Sequence, residues 1–134
     1  MPLLGVSNAM SEKNLTFRLS SEQDQPKILA LINMIQPHLP WSKEYFDWQY
    51  SSNPAGAARI WVAEAEGSVV SSYAAVPHAF KSRHHEGIAW MVQDVMTYPD
   101  YRGMGIMHDL SQRCVEACAT AGFPINYTFP NERS

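Results

Sequence analysis

Asp94-Val-Met-Thr-Tyr-Pro-Asp-Tyr-Arg-Gly-Met-Gly-Ile-Met-His108 carries the chain out of a β run and into a helix through a glycine-bearing turn. Ile88 to Thr97 is rich in apolar residues, and its pattern predicts a strand. Pro99 to Gly105 breaks regular structure. From Ile106 to Ala121 the apolar residues Met107, Leu110, Cys114, Val115 and Cys118 recur at helical spacing, with Gly122 placed as a stop. Phe123 to Phe129 then reads as a last strand. Strand, helix and strand in that order make a crossover whose two strands are parallel and whose hand is right.

Working back toward the amino terminus, the pattern changes from crossover to meander. Ile60 to Ala65 and Val69 to Val76 alternate as antiparallel partners about a Glu66-Gly67 turn. Pro77 to Glu86 is polar, contains His84-His85, and is expected to form a long hairpin connection. Before the meander, Leu15, Phe17 and Leu19 share one side of a short strand. Ser20 or Ser21 can cap a helix that starts with Glu22 and Asp24 and carries the stripe Ile28, Leu31, Ile32 and Ile35. Pro37 and Pro40 end it, Ser42 caps a shorter helix to about Tyr50, and Asn53-Pro54-Ala55-Gly56 is a turn. The order β, α, α, β, β, β, α, β predicts an α/β (α+β) fold built on a mixed, mostly antiparallel sheet.

At 134 residues, 46% hydrophobic and 17% charged, the chain suits one domain with a real core. Ten basic against 13 acidic side chains, net −3, exclude a protein whose task is to coat nucleic acid. The longest apolar run, Ile88 to Val92, is far too short to span a bilayer, so no membrane association is expected. Residues 1 to 13 look like a tag-derived or disordered amino terminus without the basic region of a secretory signal, leaving 14–134 as the domain. Cys114 and Cys118, four apart on one helix face, are poorly placed for a disulfide and read as core thiols in a reducing cytoplasm. No metal site is expected, because His84-His85 has only Glu86 beside it.

Gly103 and Gly105 permit positive φ and keep side chains out of the space faced by the first unpaired amides of the following helix. Such a loop can cradle a phosphate, or it can be only a tight strand-to-helix turn. Two to four amide hydrogen bonds to a charged oxygen, at about 1.5 to 3 kcal/mol each, would cover much of the roughly 8 kcal/mol of a micromolar complex. Arg102 can add charge or pack outward, and His108 can touch phosphate or face solvent. No Lys-Ser or Lys-Thr follows the second glycine, so this is not a Walker loop, and the three glycines of a dinucleotide fingerprint are missing.

With Pro99, Arg102, Gly105 and then Met107, the loop resembles the Arg/Gln-x-x-Gly-x-Gly/Ala signature of the GNAT superfamily of CoA-dependent N-acetyltransferases, with Met107 where the signature has a small residue. Phe46-Asp-Trp-Gln-Tyr50, Asn53-Pro54 and Phe129-Pro130-Asn131 are similar to one bacterial branch of that superfamily, and the resemblance covers Leu15 to Ser134. It implies an acyl-CoA N-acyltransferase-like fold using acetyl-CoA as co-substrate and an amine, free or on a peptide, as acceptor. The fourth strand near Met96 and Thr97 would meet the pantetheine arm. Arg102 and the amides of Gly103, Met104, Gly105, Ile106 and Met107 would hold the pyrophosphate, and Asn131 would contact CoA. His38, Trp41, Tyr45 and Trp48 fall where the superfamily's first two helices wall the acceptor groove, though aromatics at such spacing also build cores.

A lysine-like amine is neutral only about once in 2,500 molecules at pH 7, a handicap of nearly 5 kcal/mol, so a base or desolvation must help. Asp94 is the carboxylate nearest the loop. It is the candidate base, directly or through water, or else a group that holds neighbouring backbone. An amide near Met96 is expected to polarise the acetyl carbonyl. The superfamily's frequent general acid, a Tyr on a helix after the fifth strand, and its last two strands would fall beyond Ser134, so the domain is expected to be truncated. Two alternatives follow: a CoA-binding or assembly module without catalysis, and a fragment whose exposed last strand pairs with a second copy in a homodimer.

Overall fold

The computed structural model describes residues 14–120 and 126–128. Strand β1 (Thr16–Leu19) leads through a 3₁₀ turn (Glu22–Asp24) into α1 (Gln25–Ile35). Helix α2 (Lys43–Phe46) continues into a π-helical turn (Asp47–Ser51). The strands β2 (Arg59–Ala65), β3 (Ser68–Lys81) and β4 (Glu86–Thr97) follow, then α3 (Ile106–Thr120) and β5 (Asn126–Tyr127). The described strands form one sheet in the order β1-β2-β3-β4-β5. β1 to β4 pair antiparallel, and β5 joins β4 in parallel at Trp90 and Met91. The element order and the parallel closing pair are those expected from the sequence. Residues 1–13, the stop at Gly122, most of Phe123 to Phe129, and Asn131 lie outside the described residues.

Helices cover both faces because alternate strand residues point to opposite sides. Ile60, Val62, Val69, Ala74 and Val76 meet Ile28, Leu31 and Ile32 of α1 together with Phe46 and Tyr50. Trp61, Ala63, Val70, Tyr73, Ala75 and Trp90 meet Ile106, Leu110, Cys114 and Cys118 of α3. The buried stripe of α3 thus runs at strict four-residue intervals from Ile106. Met107 and Val115, expected inside, stand one residue off that line and are exposed. Leu19 is also exposed, although Leu15 and Phe17 pack on the α3 side. Burial pushes the Cys114 thiol up to about 12, with Cys118 beside it adding to the shift, so this core thiol is unreactive at neutral pH.

The long hairpin connection is shorter than the sequence suggests. β3 runs to Lys81 and β4 starts at Glu86, so only Ser82 to His85 turn the chain, closed by the Ser82 amide on the His85 carbonyl at 2.7 Å. Pro77 does not end the strand. The last β2 pairing is Arg59 with Ala75, so beyond it β3 is an edge, where a missing N–H is tolerated. His84 and His85 are exposed at the hairpin tip.

At the other end of the sheet, Arg18 grips Asp24 with two hydrogen bonds of 2.6 and 2.9 Å, and the Ser21 amide adds a third at 2.8 Å. These bonds, the guanidinium's first, hold the buried carboxyl well below the usual carboxylate range. A lowered folded-state pKa contributes stability above the unfolded value near 3.9 and loses it as pH falls through the folded one. A third of the Arg18 side chain is exposed, so solvent screens the pair. Asp24→Asn is expected to cost about 2 kcal/mol at pH 7, less than a fully buried pair would lose. Urea melts at pH 7 and pH 3 check this: the gap between the two proteins should narrow in acid.

Candidate active site

β4 is interrupted where the chemistry is expected. Ser72 pairs with Met96 and Ala74 with Gln93, so Asp94 and Val95 together oppose Tyr73 in a bulge. Asp94 sits at φ +53°, a left-handed conformation that Asp and Asn adopt more readily than other side-chain-bearing residues. The bulge bends β4 away from a straight ladder and presents the Asp94 side chain to the α1 and α2 side. There the Tyr50 hydroxyl donates to Asp94 Oδ2 at 2.5 Å and the Gln93 side-chain Nε2 donates to the same oxygen at 3.2 Å. Both donors take Oδ2, leaving Oδ1 with no hydrogen bond to another described residue. Burial, then the neighbouring Asp94 charge, pushes the Tyr50 phenol far above its ordinary value, so it remains a donor throughout the physiological range.

Beyond the bulge the ladder decides which peptide groups face outward. The Tyr98 amide donates to the Val70 carbonyl at 2.7 Å. Antiparallel alternation then makes Ser71 and Thr97 a non-hydrogen-bonded pair, and the Thr97 N–H and C=O point away from β3 toward the β5 side. Met96 faces the other way, its carbonyl also accepting the Ser71 hydroxyl at 2.7 Å. Described pairing between β4 and β5 is confined to Trp90 and Met91, well short of this end of β4. Thr97 therefore turns a backbone donor and acceptor away from β3, and Arg102 takes the acceptor, its Nε donating at 3.1 Å.

The glycine loop completes the cleft. Gly103 and Gly105 adopt φ +80° and +75°, and a Cβ on either would meet no protein atom within 4 Å. Backbone conformation, not crowding by the protein, requires these glycines, and the space before them is open. The Asp109 amide returns to the Gly105 carbonyl at 3.2 Å, so the amides of Ile106, Met107 and His108 form the unpaired first turn of α3. A cleft of about 360 Å³ joins this turn to Met96, Thr97, Arg102, Gly103, Gly105 and Met107, with Ile35 of α1 and Val95 on its walls. Met104 instead turns its side chain onto the α3-side core. Unpaired amides, a positive helix end and a guanidinium whose Nη donors bond no other described residue suit a polyanion carried on a narrow chain.

Residues 16–134 match the family model described as an acetyltransferase (GNAT) domain. The chain belongs to the GNAT acetyltransferase family. Solved acetyltransferase structures share its fold. A Trypanosoma brucei acetyltransferase superposes with a TM-score of 0.69 at 19% identity, covering 90% of this chain and 86% of that one. A predicted acetyltransferase from Clostridium acetobutylicum, solved with acetyl-CoA, gives 0.70 at 17% identity over 89% and 82%. Glucosamine-6-phosphate N-acetyltransferase from Arabidopsis thaliana gives 0.69 at 16% identity over 90% and 84%. No curated protein sequence matches significantly. Among the described residues no helix is long and apolar enough to cross a membrane.

Within this GNAT domain, the structure brings most of the residues picked out in the sequence to one cleft, and adds others. Tyr50, 44 positions before Asp94, is its hydrogen-bond partner. Val95 lines the cleft between the two expected contacts. Buried Ser71 ties down the end of β4 through the Met96 carbonyl and, at 2.9 Å, the Thr97 hydroxyl. A tyrosine in an aromatic helix and a serine in an apolar strand carry no sequence signal for such roles.

Proposed function

We propose that this chain is an N-acetyltransferase that moves an acetyl group from acetyl-CoA to a primary amine, free or on a peptide. The observation that carries the reading is the single cleft joining the outward-facing Thr97 peptide to the Gly103–Gly105 cradle, one bulge away from the Asp94 carboxylate. Acetyl-CoA supplies an acetyl group already activated as a thioester. Arg102 and the amides of Gly103, Met104, Gly105, Ile106 and Met107 hold its pyrophosphate, Met96 and Thr97 position the pantetheine arm, and Asn131 adds a contact. Asp94 Oδ1 takes the proton of the incoming ammonium, directly or through water, leaving a neutral nitrogen that attacks the thioester carbonyl; the C–S bond breaks as the amide forms, and CoA departs as a thiolate that takes the second proton shed by the nitrogen. Cys114 and Cys118, buried thiols not joined in a disulfide, suit a reducing cytoplasm.

Tyr50 is a positioning residue. Its hydroxyl occupies Oδ2 and fixes the carboxylate plane, so the free oxygen keeps one direction. Tyr50→Phe is expected to lower kcat about tenfold while leaving the KM for acetyl-CoA unchanged, a split that general loosening of the fold would not produce.

Thiol release from acetyl-CoA across a panel of amines tests the reading. Turnover with at least one primary amine, lowered at least a hundredfold in Asp94→Asn at pH 7, is expected. Tight acetyl-CoA binding with every amine silent would instead make the chain a CoA-binding module.

A further inference from the structure

A second cavity, of about 690 Å³, opens at the end of the sheet between α1 and the turn that joins β2 to β3. It shares only Tyr101 with the cleft before α3, and neither Tyr50 nor Asp94 lines it. Its size is that of a small-molecule site. The floor is apolar, built from Leu31 of α1 and from Val69 and Val70 of β3, and Met34 at the rim is 45% exposed. One wall is aromatic. Tyr98, at the end of β4, and Tyr101, in the 3₁₀ turn Pro99–Tyr101, hold their ring centroids 6.2 Å apart with planes at 60°, a corner of two rings.

Charge sets the character of the remaining lining. Lys27, the one cation among the lining residues, reaches Glu64 at 3.8 Å. Glu66 and Asp100 are exposed, and neither makes an ion pair or a side-chain hydrogen bond with another described residue. Glu66 is also held against its backbone preference. With Gly67 it forms a two-residue turn at φ +52° and +81°, a type I′ geometry whose first position ordinarily carries Asn, Asp or Gly. Glutamate gains nothing there from the backbone. What it supplies is a carboxylate at the mouth of the cavity.

We propose that this cavity is a second binding site, for a compact organic cation of the alkylated-ammonium class. The faces of the Tyr98 and Tyr101 rings attract a cation through their quadrupoles, the apolar floor takes its alkyl groups, and Glu66 and Asp100 neutralise its charge. The same carboxylates repel a phosphorylated ligand, so the cavity is not an extension of the glycine loop's phosphate site. Tyr101 walls both cavities and immediately precedes Arg102, so the occupant borders that loop. The proposal does not depend on the N-acetyltransferase reading.

Titration of the full chain with choline, followed in the protein's NMR spectrum, tests it against the neutral isostere of choline in which carbon replaces the nitrogen. Choline is expected to shift the amide signals of Gly67 and Tyr101 and to bind about tenfold more tightly than the isostere. Glu66→Asn should weaken choline about tenfold while raising the melting temperature, because asparagine adopts φ +52° more readily than glutamate. Loss of binding through misfolding would lower that temperature instead. Asp100→Asn, at another exposed position, should weaken choline without altering the melt. Equal affinity for choline and its isostere, shifts confined to residues outside this cavity, or choline affinity unchanged in both variants overturns the proposal.

Discussion

Asp94→Asn is expected to lower kcat/KM for an amine acceptor between 10² and 10³ fold at pH 7, about 3 to 4 kcal/mol, with acetyl-CoA affinity unchanged. The substitution is unusually clean. Asparagine tolerates the φ of +53° as aspartate does, so the bulge persists, and its side-chain oxygen can still accept the Tyr50 hydroxyl. What disappears is the charge and the ability to take a proton. The size of the defect follows from the acceptor, which is almost wholly protonated at pH 7 and so needs a base before it can attack. As pH rises toward the amine's own value near 10, free amine becomes plentiful and the base loses its advantage. The ratio of wild-type to variant kcat/KM should therefore shrink with rising pH, and pH-rate profiles of both proteins check it. A ratio constant with pH would make Asp94 a structural strut of the bulge.

Gly105→Asp is expected to weaken acetyl-CoA binding by about 10³ fold. A Cβ at this position meets no protein atom, so the new carboxylate projects into the open space before the first turn of α3. Two like charges about 4 Å apart in a partly solvated cleft repel by roughly 4 kcal/mol, near three decades in Kd. The φ of +75° adds a folding cost of about 1 to 2 kcal/mol for a residue with a side chain. Gly105→Ala separates the two contributions: it carries the conformational strain without the charge and should lose only about tenfold in affinity. Calorimetric titration of both variants, alongside their thermal melts, distinguishes repulsion from unfolding.

These two positions differ in how far their roles could be read from the chain. The loop was legible because Pro99, Arg102, Gly103 and Gly105 lie within seven residues between a strand pattern and a helix pattern, and local geometry alone requires the glycines. Asp94 was visible as a carboxylate near that loop. Its environment was not, since the bulge appears only when β4 is laid against β3 and the Tyr50 hydroxyl arrives from 44 residues away. Met96 and Thr97 are both legible as strand residues beside the loop, but only the ladder shows that the Thr97 peptide turns toward the β5 side and the Met96 peptide toward β3. Alternation along a strand fixes which residues share a direction but not which direction that is. Pro77 misled for a related reason: a proline stops a central strand but not an edge, and the edge exists only because β2 ends early. Met107 broke the helical pattern because it serves the cleft wall instead of the core.

The central claim is that the cleft between β4 and the first turn of α3 binds acetyl-CoA through its pyrophosphate and pantetheine. Isothermal titration of the full chain with acetyl-CoA, repeated with pantetheine lacking any phosphate, tests it most directly. One site per chain with a micromolar Kd for acetyl-CoA, and at least a hundredfold weaker binding of pantetheine, are expected. No heat with acetyl-CoA, or equal affinity for the two ligands, would contradict it.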